Sequence, residues 1–250
     1  MDRMIYTAMS GAKQSLDRQT IVANNMANVS TPGFRAQLAA TRAVPVKGDG
    51  EGTRVSAVQT TPGMETKAGN VETTGRPLDV AIKGEGWLAV TRADGSEGYT
   101  RDGGLQVDGN GMLLSHGYPV RSTGGEPLVL PTEGDVNINA EGTVMVRSRD
   151  GKRMDDIGQL KLVNPALSSL ERGDDGLFIR RANPDGSAAA PVQPDAKVRV
   201  VSGAIETRNV SAVDAMVSMI DVARRFEMNM KALSTADEDE QKANSLLSIS

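Results

Sequence analysis

The sequence predicts an α+β protein in which N- and C-terminal helices, paired in a coiled-coil-like manner, flank a central, mainly antiparallel β domain. Glycine and proline are unevenly distributed, since residues 1–31 contain one Gly and no Pro and residues 209–250 contain neither. Both residue types disfavour helix interiors and mark turns, so the two ends are predicted to be helical and the middle to be turn-rich. Apolar residues recur at three- and four-residue spacings at both ends, as they do along one helix face.

The N-terminal helix is predicted from a stripe of near-heptad spacing. The stripe consists of Ile5, Met9, Ala12, Leu16, Gln19, Ala23 and Met26. Its spacings alternate between four and three residues, which places these side chains on one face. Residues 29–33 (VSTPG) are expected to end the helix, because Pro32 pushes Thr31 out of the helical region and Gly33 can adopt a positive φ.

A second stripe predicts a long C-terminal helix. It comprises Met216, Met219, Ala223, Phe226, Met230 and Leu233, and the same spacing continues to Leu247. Ser211 and Asp214 resemble a capping box, so the helix is expected to begin near Ser211. A helix of about 40 residues would be about 60 Å long, which exceeds a compact globule of this size and indicates a coiled coil or an assembly.

The two helices are predicted to pair, because neither can bury its own stripe. Residues 1–40 carry four basic and two acidic residues, for a net charge of +2, and residues 205–250 carry five basic and eight acidic residues, for a net charge of −3. Charge therefore favours pairing weakly, and burial of the apolar stripes favours it more strongly. An ordinary two-helix packing within a monomer is the alternative, but it gives no role to the polar end of the second helix.

The middle is predicted to form a β domain over residues 71–203. Ten short apolar runs lie at residues 80–82, 87–91, 105–107, 112–114, 128–130, 136–138, 143–146, 160–163, 177–179 and 198–201. Asp-Gly and Asn-Gly pairs separate many of them and are typical of tight turns, which indicates an antiparallel sandwich, barrel or meander. Residues 1–31 and 204–250 then form a helical assembly domain, and residues 32–70 an extended connector with room for one or two strands.

Composition excludes several classes of chemistry. The chain has 28 Lys and Arg against 32 Asp and Glu, a net charge of −4, so it lacks the basic excess that nucleic-acid binding needs. It contains no Cys and one His, which excludes thiol catalysis, Cys-based zinc sites and two-His metal sites. No segment approaches the roughly 18 apolar residues of a membrane span, and the first residues lack a secretory apolar region. We expect no membrane insertion and no cleaved signal peptide.

Candidate catalytic groups are few. His116 lies in the sequence SHGY between two predicted strands and is interpreted as a surface residue. The Asp-Gly pairs lack the spacing of a calcium loop, so turn formation explains them better. Carboxylates from different strands could converge as in a glycosidase, although no specific pair stands out. We therefore predict no enzymatic activity, no catalytic or metal-binding residue and no cofactor.

The C-terminal helix also contains concentrated charge. Residues 237–240 (DEDE) place four acidic side chains on little more than one turn. They are interpreted either as a solvated face or as like charge that keeps free monomers apart until a partner's cations relieve it. Arg224 and Arg225 are expected to form salt bridges with a neighbouring subunit rather than to bind nucleic acid.

Four segments, in order, resemble the signatures of bacterial flagellar rod and hook proteins. Residues 24–35 (NNMANVSTPGFR) are similar to the N-terminal motif of that family. Residues 78–87 (LDVAIKGEGW) and 99–103 (YTRDG) resemble its central motifs, with Trp87 where Phe is commoner. Residues 202–210 (SGAIETRNV), followed by 216–220 (MVSMI) and 225–227 (RFE), resemble its C-terminal motif. Each motif alone is weak, whereas four in order are specific.

The resemblance implies a structural axial subunit of the basal-body rod that transmits torque and performs no bond chemistry. Its terminal helices would polymerise with those of neighbours into a channel-lining layer, and its β domain would face outward. The implied partners are copies of the same chain, other rod proteins and the flagellar type III export apparatus. That apparatus would export the chain, without a cleaved signal, to the rod that spans the periplasm.

A position within the rod follows from a finer resemblance. Residues 34–46 and 172–178 resemble the subunits of the proximal rod. A distal-rod or hook-type axial subunit is the alternative within the same class. A secreted β-sandwich adhesin or glycan-active protein is the alternative from a different class.

The residues expected to contact neighbouring subunits lie at both ends of the chain. Met is frequent among them, and its flexible side chain suits non-identical neighbours. In the N-terminal helix and motif they are Ile5, Met9, Ala12, Leu16, Ala23, Asn25, Met26, Asn28, Gly33 and Phe34. In the C-terminal helix they are Met216, Met219, Ile220, Ala223, Phe226, Met230, Leu233 and Leu247.

Overall fold

The structure, a computed structural model, has α+β architecture with a helix at each end and antiparallel strands between them. It describes residues 2–38, 40–45, 55–59, 63–65, 67–131, 134–148, 153–173, 175–183, 185–187 and 189–247. The chain divides into two compact units. The first contains residues 1–29, 36–66 and 210–250, and the second contains residues 30–35 and 67–209.

Two long helices belong to the first unit. Helix α1 spans Asp2–Ala27 and helix α2 spans Ala212–Leu247. The 36 residues of α2 give it a length of about 54 Å. Its predicted start is confirmed, because the Ser211 hydroxyl accepts a hydrogen bond from the Asp214 N–H at 3.3 Å. Beyond the end of α1, the Asn24 carbonyl accepts both the Asn28 N–H at 3.2 Å and the Asn28 side-chain amide at 2.9 Å.

The described residues form nineteen short strands, and each pairing between them is antiparallel. In chain order they are β1 (Gln37–Leu38), β2 (Thr41–Pro45), β3 (Val55–Gln59), β4 (Gly63–Met64), β5 (Val71–Thr73), β6 (Val80–Lys83), β7 (Trp87–Thr91), β8 (Glu97–Thr100), β9 (Leu105–Val107), β10 (Leu113–Ser115), β11 (Tyr118–Pro119), β12 (Asp135–Ile138), β13 (Thr143–Arg147), β14 (Met154–Gln159), β15 (Leu162–Val163), β16 (Leu170–Arg172), β17 (Phe178–Arg180), β18 (Arg199–Ser202) and β19 (Ala204–Glu206). A single 3-10 turn, Leu167–Ser169, precedes β16.

The first unit also contains the paired strands β1–β4 and β2–β3, which lie in the segment expected to be an extended connector. They pack against α1. The Asn25 side chain binds the backbone of Gln37 twice, because its Nδ2 donates to the carbonyl and its Oδ1 accepts from the N–H, both at 2.9 Å. On the same side of α1, Gln14 donates to the Thr41 hydroxyl and Ile21 is 8% exposed. Strands therefore cover one side of α1.

The described residues of the second unit form five small sheets. A five-stranded sheet has the order β15-β7-β8-β17-β16, and two three-stranded sheets have the orders β11-β10-β9 and β12-β13-β14. The two remaining pairs are β18-β6 and β19-β5. Strand β19 lies where the helical segment was expected to start, so the chain stays in this unit until Asn209 and enters α2 at Ala212.

One apolar core holds the sheets of the second unit together. It consists of Val80, Ile82, Leu88, Val90, Leu105, Leu113, Val120, Leu128, Leu130, Ile138, Val144, Val146, Leu160, Leu162, Leu177, Val198 and Val200, all at most 4% exposed. Nine of the ten predicted apolar runs overlap a strand. The tenth, residues 128–130, enters the core through an isolated bridge between Met112 and Val129 instead. Strands β8 and β14 are rich in Glu, Asp and Gly, so apolar runs did not indicate them.

The Asp-Gly pairs serve two purposes. Gly95 and Gly186 both have φ of +80°, as expected of glycines in tight turns, whereas Gly151 lies outside the described residues. Gly103 has a different reason to be glycine. A Cβ at this position would lie 1.6 Å from the carbonyl oxygen of Val80, so the close approach of a neighbouring backbone excludes any side chain.

Replacing Gly103 by Ala should therefore lower the free energy of unfolding by about 3 kcal/mol, because the backbone around Val80 must move to admit a methyl group. The matched control is Gly109→Ala in the next Asp-Gly pair, where a Cβ meets nothing within 4 Å. That substitution should change the free energy of unfolding by at most about 0.5 kcal/mol. Urea denaturation of both variants tests this prediction, and equal midpoints for the two would contradict it.

Candidate functional site: an apolar helix-pair surface and a buried charge cluster

Helices α1 and α2 pack against each other along a seam of small side chains. The Gly11 Cα faces Asn229, since a Cβ there would lie 2.8 Å from the Asn229 Oδ1. The Asn229 amide also donates to the Ser15 hydroxyl at 3.5 Å. The buried seam residues, at most 9% exposed, are Ala8, Ala12, Ser15 and Val22 in α1 and Ala215, Val222 and Ala236 in α2. Small side chains let two helices approach closely, so the pair is tight.

The two helices run antiparallel. Just beyond them, the Asn209 N–H donates to the Phe34 carbonyl at 3.3 Å, so the chain leaves α1 and enters α2 at neighbouring places. Along each helix, buried seam positions recur every seven residues, at 8, 15 and 22 in α1 and at 215, 222 and 236 in α2, with Asn229 between the last two.

The predicted stripes divide into two sets relative to this seam. One set lies on the packed side, where Ala12 is buried and Ile5, Met26, Met219, Phe226 and Leu233 are half-buried. The other set is exposed: Met9, Leu16 and Ala23 in α1, and Met216, Ala223 and Met230 in α2. Each exposed residue directly follows a seam position. Each helix is therefore turned about its own axis so that small residues such as Ala8, Ser15 and Ala215 face the other helix. The larger residues Met9, Leu16 and Met216 lie outside the seam.

The exposed set forms one surface, which we call the outer ladder: Met9, Leu16, Ala23, Met216, Ala223 and Met230. Residues that directly follow the seam positions of two antiparallel helices project to the same side of the pair. Met9, Leu16, Met216 and Met230 are 45–53% exposed. Single exposed apolar side chains are ordinary, but a contiguous line of them marks an interaction surface.

The remaining predicted interface residues have other surroundings. Ile220 is 54% exposed and lies on the side of α2 that faces away from α1, with Val213 and Val217. The Leu247 side chain lies outside the described part of the chain. Asn25 and Asn28 bond within the first unit, as described above. Gly33 and Phe34 are buried within the second unit, where contacts inside the chain occupy them.

A buried cluster of three charges lies where Gly33 and Phe34 enter the second unit. The Glu206 carboxylate, 2% exposed, is held between the Arg35 and Arg101 side chains, which are 6% and 2% exposed. Arg101 Nε donates to Glu206 Oε2 at 2.5 Å, and Arg35 Nη2 donates to Oε1 at 3.3 Å. The Gly69 N–H adds a third bond to Oε1 at 3.1 Å. We refer to Arg35, Arg101 and Glu206 as the charge cluster.

The charge cluster joins distant parts of the chain. Arg101 also donates to the carbonyls of Ile82, Gly84 and Gly86 at 2.6–3.0 Å, which fixes the loop between β6 and β7. The Gly33 N–H donates to the Glu206 carbonyl at 2.8 Å. The segments that enter and leave the second unit are therefore bonded directly to each other and through the cluster to its sheets.

Aromatic rings surround the cluster. The Trp87 ring lies 5.7 Å from the Arg35 guanidinium and 6.0 Å from that of Arg101, and its centroid is 4.7 Å from that of Phe178. Arg172 stacks on Phe34, with its guanidinium carbon 4.2 Å from the ring centroid. Burial lowers the pKa of Arg172 to about 10. These contacts exclude water from the ion pairs, which strengthens them.

The other buried charges have structural surroundings too. Lys161 Nζ lies 2.6 Å from the Glu97 carboxylate, and Arg121 lies 3.5 Å from the same oxygen. Burial raises the pKa of the Asp102 carboxyl, whose Oδ1 accepts the Gly104 N–H at 2.9 Å. His116 is the surface residue that the sequence predicts, with a side chain 61% exposed and its Nδ1 3.5 Å from the Asp102 Oδ2.

Neither helix, as far as it is described, is long and apolar enough to cross a membrane. In the same part of the chain, no three acidic or His side chains come together as metal ligands. Asp237, Glu238 and Asp239 are exposed on α2, and so are Arg224 and Arg225. The charged groups that the fold brings together inside the second unit bond to one another.

Sequence reasoning singled out the motifs that contain the charge cluster but not the cluster itself. Arg35, Arg101 and Glu206 each belong to one of three family-like motifs, and no motif indicates that they contact one another. A signal was present, since Glu206 follows the apolar pair Ala204 and Ile205 at the end of β19, and Arg101 follows a strand with buried residues. Charges in such places need partners, but the sequence does not say which ones.

Three family models match the chain, in the order of the motifs. The flagella basal body rod protein model matches residues 5–35, the flagellar hook protein FlgE/F/G D1 domain model matches residues 81–146, and the flagellar basal body rod FlgEFG protein C-terminal model matches residues 201–246. Each contributes one member of the charge cluster: Arg35, Arg101 and Glu206, respectively.

Full-length relatives agree with these matches. The flagellar basal-body rod protein FlgF of Escherichia coli K12 is 47% identical over 252 residues, and that of Salmonella typhimurium LT2 is 45% identical, each with 100% of both chains covered. The flagellar basal-body rod protein FlgG of Bacillus subtilis is 30% identical over 95% of this chain and 96% of its own.

Replacing Glu206 by Gln should lower the free energy of unfolding by about 3–5 kcal/mol, because two buried guanidinium groups lose their counter-charge. The single Trp, Trp87, lies beside both guanidiniums, so its fluorescence during urea denaturation reports the transition directly. Glu72→Gln is the control, since Glu72 is exposed on the strand paired with β19. It should shift the free energy by at most about 0.5 kcal/mol. If both variants unfold like the unmodified chain, the cluster does not hold the second unit together.

Proposed function

This chain belongs to the flagellar basal-body rod protein family as a structural axial subunit most like the members named FlgF, and we propose that it polymerises through its terminal helices in the proximal rod. In this proposal the antiparallel helix pair is a coiled-coil-like assembly module that lines the channel. The second unit is the β domain and faces outward. Both transmit torque, and no bond chemistry is involved.

The outer ladder is the observation that supports this proposal. Its six residues leave an apolar line along the helix pair that no part of the described chain covers. Burying four side chains that are about half exposed gains several kcal/mol, since complete burial of one such side chain gains about 1.5–3 kcal/mol. Contact with neighbours through the outer ladder therefore gains free energy from burial, and it does not reduce the stability of the single chain.

The charge cluster suits a part that transmits force. The chain passes between the two units after residues 29, 35, 66 and 209, and torque that enters through the helices can follow these covalent connections. Within the second unit, the Gly33 N–H bonds to the Glu206 carbonyl, and Arg101 bonds the Glu206 carboxylate to the loop between β6 and β7. The load is then shared between the covalent connections and a set of short, buried, charge-assisted bonds, which are among the stronger non-covalent contacts.

The proximal position rests on relative similarity. Two relatives named FlgF reach 47% and 45% identity over their whole length, two others named FlgF reach 30% and 25%, and relatives named FlgG reach 30–31%. A distal position is the second candidate because those FlgG relatives also match nearly the whole chain. The proposal further includes export through the flagellar type III apparatus, without a cleaved signal, and assembly with other rod proteins in the periplasm-spanning rod.

Leu16→Glu should abolish rod assembly and swimming in cells where it replaces the natural chain, because it puts a charge into the outer ladder. Leu16 is 49% exposed, so the substitution should change the stability of the single chain by at most about 1 kcal/mol. Soft-agar swimming and mass spectrometry of detergent-washed basal bodies measure the effect, and circular dichroism checks folding.

Arg18→Glu provides the matched control for this experiment. Arg18 is exposed on another side of α1, and its substitution changes the net charge by more than Leu16→Glu does. We expect swimming to continue. Normal basal bodies with Leu16→Glu would refute assembly through the outer ladder. Absence of the unmodified chain from basal bodies that contain the other rod proteins would refute the rod function.

A further inference from the structure

We propose that Arg172 is the binding site for a carboxylate group, which an Asp or Glu side chain of a neighbouring subunit supplies. Arg172 ends β16 in the second unit and lies beside the aromatic rings that surround the charge cluster. The inference rests on the proposed function, since it takes assembly with neighbours as given. It adds a contact that lies outside the helix pair and names the chemistry of the partner.

The Arg172 guanidinium is held by aromatic rings and not by hydrogen-bond acceptors. Its central carbon lies 4.2 Å from the Phe34 ring centroid and 5.6 Å from that of Phe178. Within the described part of the chain, its nitrogens form neither a hydrogen bond nor an ion pair. Rings attract a cation but are weak acceptors for its N–H groups, so the donors of this guanidinium still need a partner.

One edge of the guanidinium is open to such a partner. Nη1 is buried, whereas Nε and Nη2 reach the surface. Gly176 borders this edge, because a Cβ at that position would lie 3.7 Å from Nη2. Since Phe34 covers one face of the guanidinium, a partner approaches along the edge and in the plane of the group. A carboxylate fits this approach, because its two oxygens accept the two parallel N–H bonds of a guanidinium edge.

The described carboxylates that neighbour Arg172 in the sequence are bonded to other cations. Asp175 Oδ2 lies 2.6 Å from Arg92 Nε, and Glu171 Oε2 lies 3.7 Å from Arg181 Nε. Burial lowers the pKa of Arg172 to about 10, and the charge of Asp175 offsets only part of this effect. The described surroundings of Arg172 therefore disfavour its charge, and they provide no counter-charge in contact with it.

The aromatic region has an excess of positive charge among its described residues. The guanidiniums of Arg35, Arg101 and Arg172 lie against the rings, and Glu206 neutralises one charge of the first two. Three guanidiniums and one carboxylate give a net charge of 3 − 1 = +2. Proteins pair the charges that they shield from water, so an anion from outside the chain completes this region.

The strength of the contact indicates where the carboxylate comes from. A single ion pair with a carboxylate that is free in solution is weak, because water and salt compete for both partners. A neighbouring subunit holds its side chain beside Arg172, which raises the effective concentration of the carboxylate. Docking also removes water from the open edge, which strengthens the two hydrogen bonds. The partner is therefore a side chain of an assembled protein.

An amine in place of the guanidinium makes this contact chemically detectable. Cells would express the full chain with Arg172→Lys, and purified basal bodies would be treated with a water-soluble carbodiimide. The reagent joins an amine to a carboxylate in direct contact: an amide bond forms, and the oxygen that leaves the carboxylate ends in the urea by-product. We expect a two-protein product that the unmodified chain does not give. Mass spectrometry should find position 172 joined to an Asp or Glu of the neighbour.

Arg147→Lys is the matched control, because Arg147 is exposed on β13 of the same unit and forms no ion pair with the described residues. It should give no such product. Asp174 lies outside the described residues, and coupling to it would leave the chain at the size of a monomer. An amide within the same chain, no amide at position 172, or equal yields from the two variants would overturn the proposal.

Two further variants separate binding from a structural role. Arg172→Leu removes the charge and keeps an apolar contact with the rings. The urea midpoint of the purified variant should equal or exceed that of the unmodified chain, because a cation without a partner is lost. Arg172→Glu should abolish swimming, since it places two carboxylates against each other. A midpoint that Arg172→Leu lowers as much as Glu206→Gln does, or normal swimming with Arg172→Glu, would contradict the proposal.

The remaining outcomes distinguish this inference from the proposed function. If sodium sulfate raises the urea midpoint of the unmodified chain more than that of Arg172→Leu and no amide forms, the site binds a free oxyanion and the proposed partner is wrong. If cells with Arg172→Lys swim and no neighbour couples to position 172, the Arg172 contact fails while the rod function stands. If the unmodified chain is absent from basal bodies that contain the other rod proteins, the proposed function itself fails.

Discussion

The second unit depends on one carboxylate, that of Glu206, which neutralises two buried guanidinium groups. Removing three charges from water is costly, and the mutual attraction repays that cost only when the geometry is good and the remaining donors are satisfied. The geometry is good here, since the carboxylate oxygens receive Arg35, Arg101 and the Gly69 N–H, while Arg101 bonds three carbonyls. Replacing the cluster with apolar residues would remove the directional bonds that bring the entering and leaving segments together.

A second constraint acts on the helices, and it is one of size. Pairing through Ala8, Ser15, Ala215 and Val222 brings the helix axes close and leaves the larger Met9, Leu16 and Met216 outside. A monomer that used its large residues in the seam would bury more apolar area by itself and would have less to offer a neighbour. The observed arrangement divides the apolar residues of one stripe between internal packing and the exposed outer ladder.

The parts of the fold that follow a local rule could be predicted from the sequence. Helix α2 begins where Ser211 and Asp214 indicate, and the apolar runs locate most core strands. The rotation of the seam could not be predicted, because a stripe centred on residue 9 and one centred on residue 8 have nearly the same period, and only close packing of two helices distinguishes them. The charge cluster was equally hidden, since Arg35 and Glu206 are 171 residues apart and no local pattern relates them. The same holds for Gly103, whose glycine requirement comes from the distant backbone of Val80 rather than from its turn-like neighbour Asp102.

The span of the charge cluster also bears on the order in which the chain can fold. Contacts between Gly33–Arg35 and Glu206 close a loop of about 170 residues, and closing so long a loop costs entropy that local contacts do not repay. A chain that emerges from a narrow passage with its N-terminus first can pair β7 with β8 or close the β12–β13 hairpin early. It cannot bury Arg35 and Arg101 with their counter-charge until four-fifths of its length has passed. Completion of the second unit is therefore a late event. Until then, Gly33 and Arg35 lack their contacts with Glu206.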